Sequence, residues 1–119
     1  MINHAIHEEE HMDTNNVTMV IDRPLGSTHP TYPELIYPIN YGYIPGTMAA
    51  DGEPEDAYLL GVSYPVCSFT GHIIARIHRH DDIEDKWVIA PRDMTFTEQE
   101  IRNAVHFQER FFFSTIQLL

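Results

Sequence analysis

The chain has 119 residues, of which 43% are hydrophobic and 21% charged; 18 acidic residues face 7 basic ones, for a formal net charge of −11. That length holds one domain, and that charge repels nucleic-acid backbones and anionic membrane surfaces, so neither is an expected partner. No segment approaches the ~18 consecutive apolar residues of a membrane-spanning helix.

Residues 1–16 form a polar arm with His4, His7 and His11 at helical spacing around the acidic run Glu8-Glu9-Glu10. Little in it is apolar enough to anchor a fold, so it reads as a solvated arm, with a metal-binding helix as the other reading. It lacks the basic start and apolar stretch of a signal peptide. The folded domain is expected over residues 17–119. Val17 to Ile21 is rich in β-formers and predicts a first strand. Pro24, Pro30, Pro33 and Pro38 then forbid helix and favour an extended loop.

Tyr37 to Ile44 is aromatic and β-prone, and Pro45-Gly46 signals a turn. After the acidic segment Asp51 to Asp56, Ala57 to Val62 predicts another strand. The lone cysteine, Cys67, permits no internal disulfide, which fits a reducing cytosol; its apolar neighbours predict a buried, inert thiol. Gly71 to His80 alternates, with Ile73, Ala75 and Ile77 on one face and Ile74, Arg76 and His78 on the other, and predicts a half-exposed strand. An acidic turn, Asp81 to Asp85, leads to a strand over Lys86 to Ala90, stopped by Pro91. Thr97 caps a helix with Glu98 and Glu100 in its first turn and Ile101, Ala104, Val105 and Gln108 inward, running to about Phe112. About five short strands before one C-terminal helix predict a mainly β fold, a small barrel with the helix packed on it.

Chemistry concentrates in two acidic clusters at strand ends: Asp51, Glu53 and Asp56, then Asp81, Asp82, Glu84 and Asp85, followed at once by Lys86. Gly52 and Pro54 make the first cluster compact. Carboxylates brought this close need water or a cation between them, and hard oxygen ligands suit Mg²⁺ or Mn²⁺. Lys86 can hold a phosphate oxygen. A pair of solvated loops is the plainer reading, and pattern alone leaves the two open. His78 and His80 share a strand face and, with His72, raise zinc as an alternative, but no cysteine or third histidine stands at metal spacing with them.

Tyr37-Pro38-Ile39-Asn40-Tyr41-Gly42-Tyr43-Ile44, followed by Asp51-Gly52-Glu53-Pro54-Glu55-Asp56, resembles the soluble (family I) inorganic pyrophosphatases, with their Y-P-x-N-Y-G-Y-I segment and D-x-D-x-x-D signature. Glu84-Asp85-Lys86 through Pro91 resembles that family's D-x-K strand, and the helix with His106-Phe107 its late helix; the match covers roughly residues 17–112. The resemblance implies a five-stranded OB-like barrel that hydrolyses pyrophosphate with Mg²⁺, in the cytoplasm and as a homo-oligomer. It places Asp51, Glu53 and Asp56, with Asp81 or Asp82 and Glu84, on the metals. Glu53 falls at the general-base position, Lys86 and Arg23 on phosphate, Tyr41 in the site, and Asp22 at an early acidic position.

The sequence departs from that pattern in several places. Glu53 is one methylene longer than the family's Asp, and Glu55 replaces an apolar residue. The Ser27–Ile36 segment is short, and the family's early Lys and Glu pair, and the Arg before its aromatic segment, have no clear counterpart. Phe111-Phe112 stands where the family has Tyr-Lys, leaving Arg23 and Lys86 as the cations of the matched core. Three functions follow as expectations: a Mg²⁺-dependent hydrolase of pyrophosphate or another phosphoanhydride; a relative without turnover that binds a divalent cation or a protein partner; and an acidic structural module that self-associates through Phe111-Phe112-Phe113.

Overall fold

The computed structural model describes residues 13–82 and 84–119; the histidines of the N-terminal arm lie outside them. Among the described residues, six strands and one helix follow in the order β1 (Val17–Arg23), β2 (Asn40–Ile44), β3 (Glu55–Leu59), β4 (Ser68–Arg79), β5 (Asp85–Ala90), α1 (Glu98–Glu109) and β6 (Ser114–Leu118). The strands pair in the order β1-β2-β3-β5-β4-β6, and an added β1–β4 pairing closes the first five into a ring. Pairing is antiparallel except between β3 and β5. The predicted barrel and helix are present. Among the described residues no helix is long and apolar enough to cross a membrane.

The long strand β4 closes the ring. Its first residues pair with β1 (Val17↔Gly71 to Val20↔Ser68), and its last with β6 (Ala75↔Leu118 to Arg79↔Ser114). The final strand β6 was not anticipated, because the helix stops at Glu109 instead of running on to Phe112. Its sequence Ser-Thr-Ile-Gln-Leu is short and half-exposed, so its pairing with β4 rather than its own pattern makes it a strand.

Two β-bulges re-aim side chains. On β1, Ile21 and Arg23 pair with the consecutive residues Gly42 and Tyr41, so Asp22 is the extra residue. On β4, Ile73 and Ala75 pair with Ile89 and Val88, making Ile74 extra. The expected alternation through β4 therefore breaks at Ile74: Ile73 joins one apolar cluster, while Ile74, Ala75 and Ile77 join the other. At Gly42 the backbone of β1 comes too close for a side chain; a Cβ there would lie 1.8 Å from the Val20 carbonyl oxygen.

The cluster of Val17, Met19, Ile21, Ile44, Leu59 and Ile89, with Ala57 and Ile73, draws on all five ring strands and fills the ring. The other cluster lies under the helix, where Ile101 and Val105 pack on Tyr41, Tyr58, Ile77 and Val88. A capping box starts the helix: Thr97 Oγ1 accepts from the Glu100 N–H at 3.1 Å, and Glu100 Oε1 accepts from the Thr97 N–H at 2.8 Å. Buried Asn40 pins the loops below it, accepting from Leu25 N–H at 2.9 Å and donating to the Tyr64 carbonyl at 3.0 Å. Cys67 is exposed, not buried as its neighbours implied, because it lies in the loop just before β4.

Candidate active site

The charged side chains of interest continue the helix-side face of the sheet. Side chains two apart on a strand share a face. On β3, Asp56 stands two before Tyr58; on β5, Lys86 stands two before Val88; on β4, Arg79 stands two after Ile77. Each inner residue of these pairs packs in the cluster under the helix. The same face thus runs from apolar core to a charged region beyond it.

Two hollows open there and meet at Asp56. The first, of about 710 Å³, is lined by the cations Arg23, Arg79, Lys86 and Arg110 together with Tyr41 and Asp56. The second, of about 410 Å³, is lined by six carboxylates: Asp22, Asp51, Glu53, Asp56, Glu84 and Asp85. The bulge on β1 serves both, sending Asp22 to the acidic hollow and its neighbour Arg23 to the cationic one.

Lys86 joins the two. It is 3% exposed, and its Nζ donates to Asp56 Oδ2 at 2.5 Å and to Glu84 Oε1 at 2.9 Å. Burial works against its charge, but Tyr41 and then Asp56 outweigh that, and its pKa lies above the ordinary value. Lys86 is therefore an ammonium at neutral pH. Burial pushes the Tyr41 hydroxyl up to about 12, so it remains a proton donor.

Glu84 and Asp85, at the end of the second acidic segment, share this hollow with the Asp51–Asp56 turn. The Glu53 backbone N–H, 3.0 Å from Asp51 Oδ1, is the main influence holding Asp51 below the usual carboxylate range, and a hydrogen bond with the Glu84 carboxyl adds to it. Asp85 is tied to Arg76 at 2.8 Å and to His78 at 2.7 Å. Among the described residues no three His, Cys, Asp or Glu side chains already stand as a closed metal cage. The donor set, all carboxylate oxygen from three separate segments around one hollow, nonetheless fits a hard divalent cation such as Mg²⁺, which keeps several waters of its own.

Asp81 and Asp82 are placed elsewhere. Asp81 Oδ2 accepts from the Phe113 N–H at 3.1 Å, and Asp82 Oδ2 lies 4.0 Å from Arg79. The strand histidines are engaged separately: His72 with the Met94 carbonyl, His78 with Asp85, and His80 with Thr115. Zinc has no set of ligands among them.

A buried hydrogen-bonded chain supports the cationic hollow. Arg23 Nη1 donates to Tyr37 Oη at 2.6 Å; Tyr37 Oη donates to Gln108 Oε1 at 2.9 Å; Gln108 Nε2 donates to Tyr58 Oη at 2.8 Å; Tyr58 Oη donates to Glu109 Oε2 at 2.5 Å. Arg79 closes it, reaching Glu109 through Nε at 3.1 Å and Nη2 at 2.6 Å. Its guanidinium also lies 3.7 Å from the Phe112 ring centre. The end of the helix thereby fixes two arginines of the hollow at once. Arg79 and Arg110 correct the expectation that Arg23 and Lys86 are the only cations here. Arg79 was signalled by parity with Ile77, and Glu109 by the i, i+4, i+8 series Ile101, Val105, Glu109, which puts a charge on the buried helix face.

The inorganic pyrophosphatase family model matches residues 7–116. The chain is 43% identical over 49 residues to the inorganic pyrophosphatase of Gluconobacter oxydans, 41% of this chain and 25% of that one. It is 41% identical over 69 residues to that of Saccharolobus solfataricus, 54% of this chain and 40% of that one. The matched stretches thus span well under half the length of these relatives. In fold, the crystal structure of inorganic pyrophosphatase from Ehrlichia chaffeensis superposes with a TM-score of 0.68 at 18% identity, covering 87% of this chain and 86% of that one. With the match to the family model running over nearly the whole chain, this protein belongs to the inorganic pyrophosphatase family.

Proposed function

We propose that this chain hydrolyses inorganic pyrophosphate to two phosphates with Mg²⁺. One observation carries the reading: a carboxylate hollow and a cationic hollow meet at Asp56, with Lys86 bonded across the junction. Asp51, Glu53, Asp56 and Glu84 would hold the metal; Asp81 and Asp82 point to other partners and are left out. When bound, Mg²⁺ supplies the positive charge that neutralises a phosphoanhydride and acidifies the attacking water. Lys86 and Arg23, joined by Arg79, hold phosphate oxygens in fixed positions. Tyr41 donates a hydrogen bond to one of them. Glu53 accepts the proton of the attacking water as general base.

A second reading, binding without turnover, is favoured by Phe111 and Phe112, which line the cationic hollow without a hydrogen-bond donor. A phosphate-release assay separates the two. The hydrolase releases phosphate from pyrophosphate only with Mg²⁺ (or Mn²⁺) and loses this activity in Asp56→Asn. No release from the native chain with either metal contradicts it.

A further inference from the structure

The cationic hollow is larger than pyrophosphate needs. Counting about 30 Å³ for each water-sized group, its 710 Å³, open to solvent on one side, holds roughly two dozen such groups, more than twice the non-hydrogen atoms of the ion. Its lining also changes character with depth. The floor carries buried polar groups: Lys86 at 3%, Tyr41 at 5% and Arg79 at 5% exposed. The rim carries aromatic rings in water: Tyr32, 57% exposed, from the proline-rich loop, and Phe111, 63% exposed, from the segment after α1. Arg110 lies over Phe111 at 4.8 Å, adding a planar cation to that rim. Both rings offer apolar faces beside the charged cleft that phosphate cannot use.

Resting on the hydrolase reading of this same site, we infer that the hollow takes a nucleoside diphosphate or triphosphate, with its terminal phosphates on Lys86, Arg23 and Arg79 and its base stacked on Phe111 and Tyr32. The chemistry matches at both ends. Guanidinium and ammonium groups recognise the phosphates. Exposed aromatic rings and an arginine plane stack on a base without requiring a particular one. The acidic hollow across Asp56 is where the divalent cation that accompanies such phosphates would sit.

Calorimetric titration of the full chain with ADP, pyrophosphate and inorganic phosphate, each with Mg²⁺, tests this, with ADP and pyrophosphate supplied as their uncleavable methylene analogues. ADP is expected to bind at least tenfold tighter than pyrophosphate. Phe111→Ala and Tyr32→Ala should each weaken ADP by about tenfold, as loss of one base-stacking contact does, and leave pyrophosphate affinity unchanged. Both residues are exposed, so the variants should fold; thermal melts check this. The inference falls if ADP binds no tighter than pyrophosphate, if the variants leave ADP unaffected, or if they change only the oligomeric state, which would make the rings an interface between copies. The two readings fail separately. Phosphate release from pyrophosphate without preferential ADP binding overturns the nucleotide and keeps the hydrolase. Tight ADP binding lost in Phe111→Ala, without phosphate release from pyrophosphate, keeps the nucleotide and overturns the hydrolase.

Discussion

The buried pair of Arg79 and Glu109 gives the sharpest mutational prediction. Arg79 is 5% exposed and Glu109 6%, so each charge relies mainly on the other for solvation. Replacing Glu109 by Leu removes the bidentate partner of a buried guanidinium and leaves it Asp82 at 4.0 Å, which costs up to about 3–5 kcal/mol. Tyr58 Oη loses its acceptor as well, a penalty that overlaps the first rather than adding to it. At about 4 °C per kcal/mol for a domain of this size, Glu109→Leu should melt on the order of 10–20 °C lower. Urea unfolding followed by the fluorescence of the only tryptophan, Trp87, measures the same loss isothermally. The double variant Arg79→Met/Glu109→Leu removes both charges and should recover most of the stability, to within about 1–2 kcal/mol of the native chain. It should still bind pyrophosphate more weakly, by about 1.5–3 kcal/mol, the value of one charge-assisted hydrogen bond. If Glu109→Leu melts within a few degrees of the native protein, or the double variant is no more stable than the single one, the buried-pair reasoning is wrong.

Tyr41 predicts an alkaline limit. Burial moves its hydroxyl from 10.0 up to about 12, worth roughly 3 kcal/mol at about 1.4 kcal/mol per pKa unit. The raised value means the contribution is complete below pH ~10 and is lost as pH rises through about 12. Tyr41→Phe should therefore flatten stability against pH in that window; an unchanged profile counts against the buried position. Gly42→Ala puts a methyl 1.8 Å from the Val20 carbonyl oxygen, so it should abolish folding or cost more than about 4 kcal/mol; a soluble variant with a native melting temperature refutes the close approach of β1 and β2.

Much of the candidate site's lining was legible because it lies on recognisable turns and strand ends. The Asp51–Asp56 turn and the Lys86 strand do line the two hollows. Legibility failed where tertiary pairing decides the outcome. β6 has no pattern of its own and depends on the far end of β4. The bulge at Ile74 cannot be seen in an alternating sequence, because either register looks regular. Asp81 and Asp82 sat in the same acidic run as Glu84, but a turn sends consecutive side chains to different sides, and Asp81 caps the Phe113 N–H instead. Cys67 read as buried from its neighbours, yet burial follows the element, and a loop exposed it. Arg79 and Glu109 carried a signal, charge at an inward position, whose meaning depended on their meeting across 30 residues of sequence.

The most direct test of a site shared between the two hollows is calorimetric titration of methylenediphosphonate, a pyrophosphate analogue with no P–O–P bond to cleave, with and without Mg²⁺, repeated on Asp51→Asn and Asp56→Asn. Cation and anion that meet at Asp56 must strengthen each other's binding. Mg²⁺ should therefore tighten binding of the analogue at least tenfold in the native chain, and this gain should vanish in both variants. Equal affinity with and without Mg²⁺, or a full gain persisting in Asp56→Asn, would contradict the shared site.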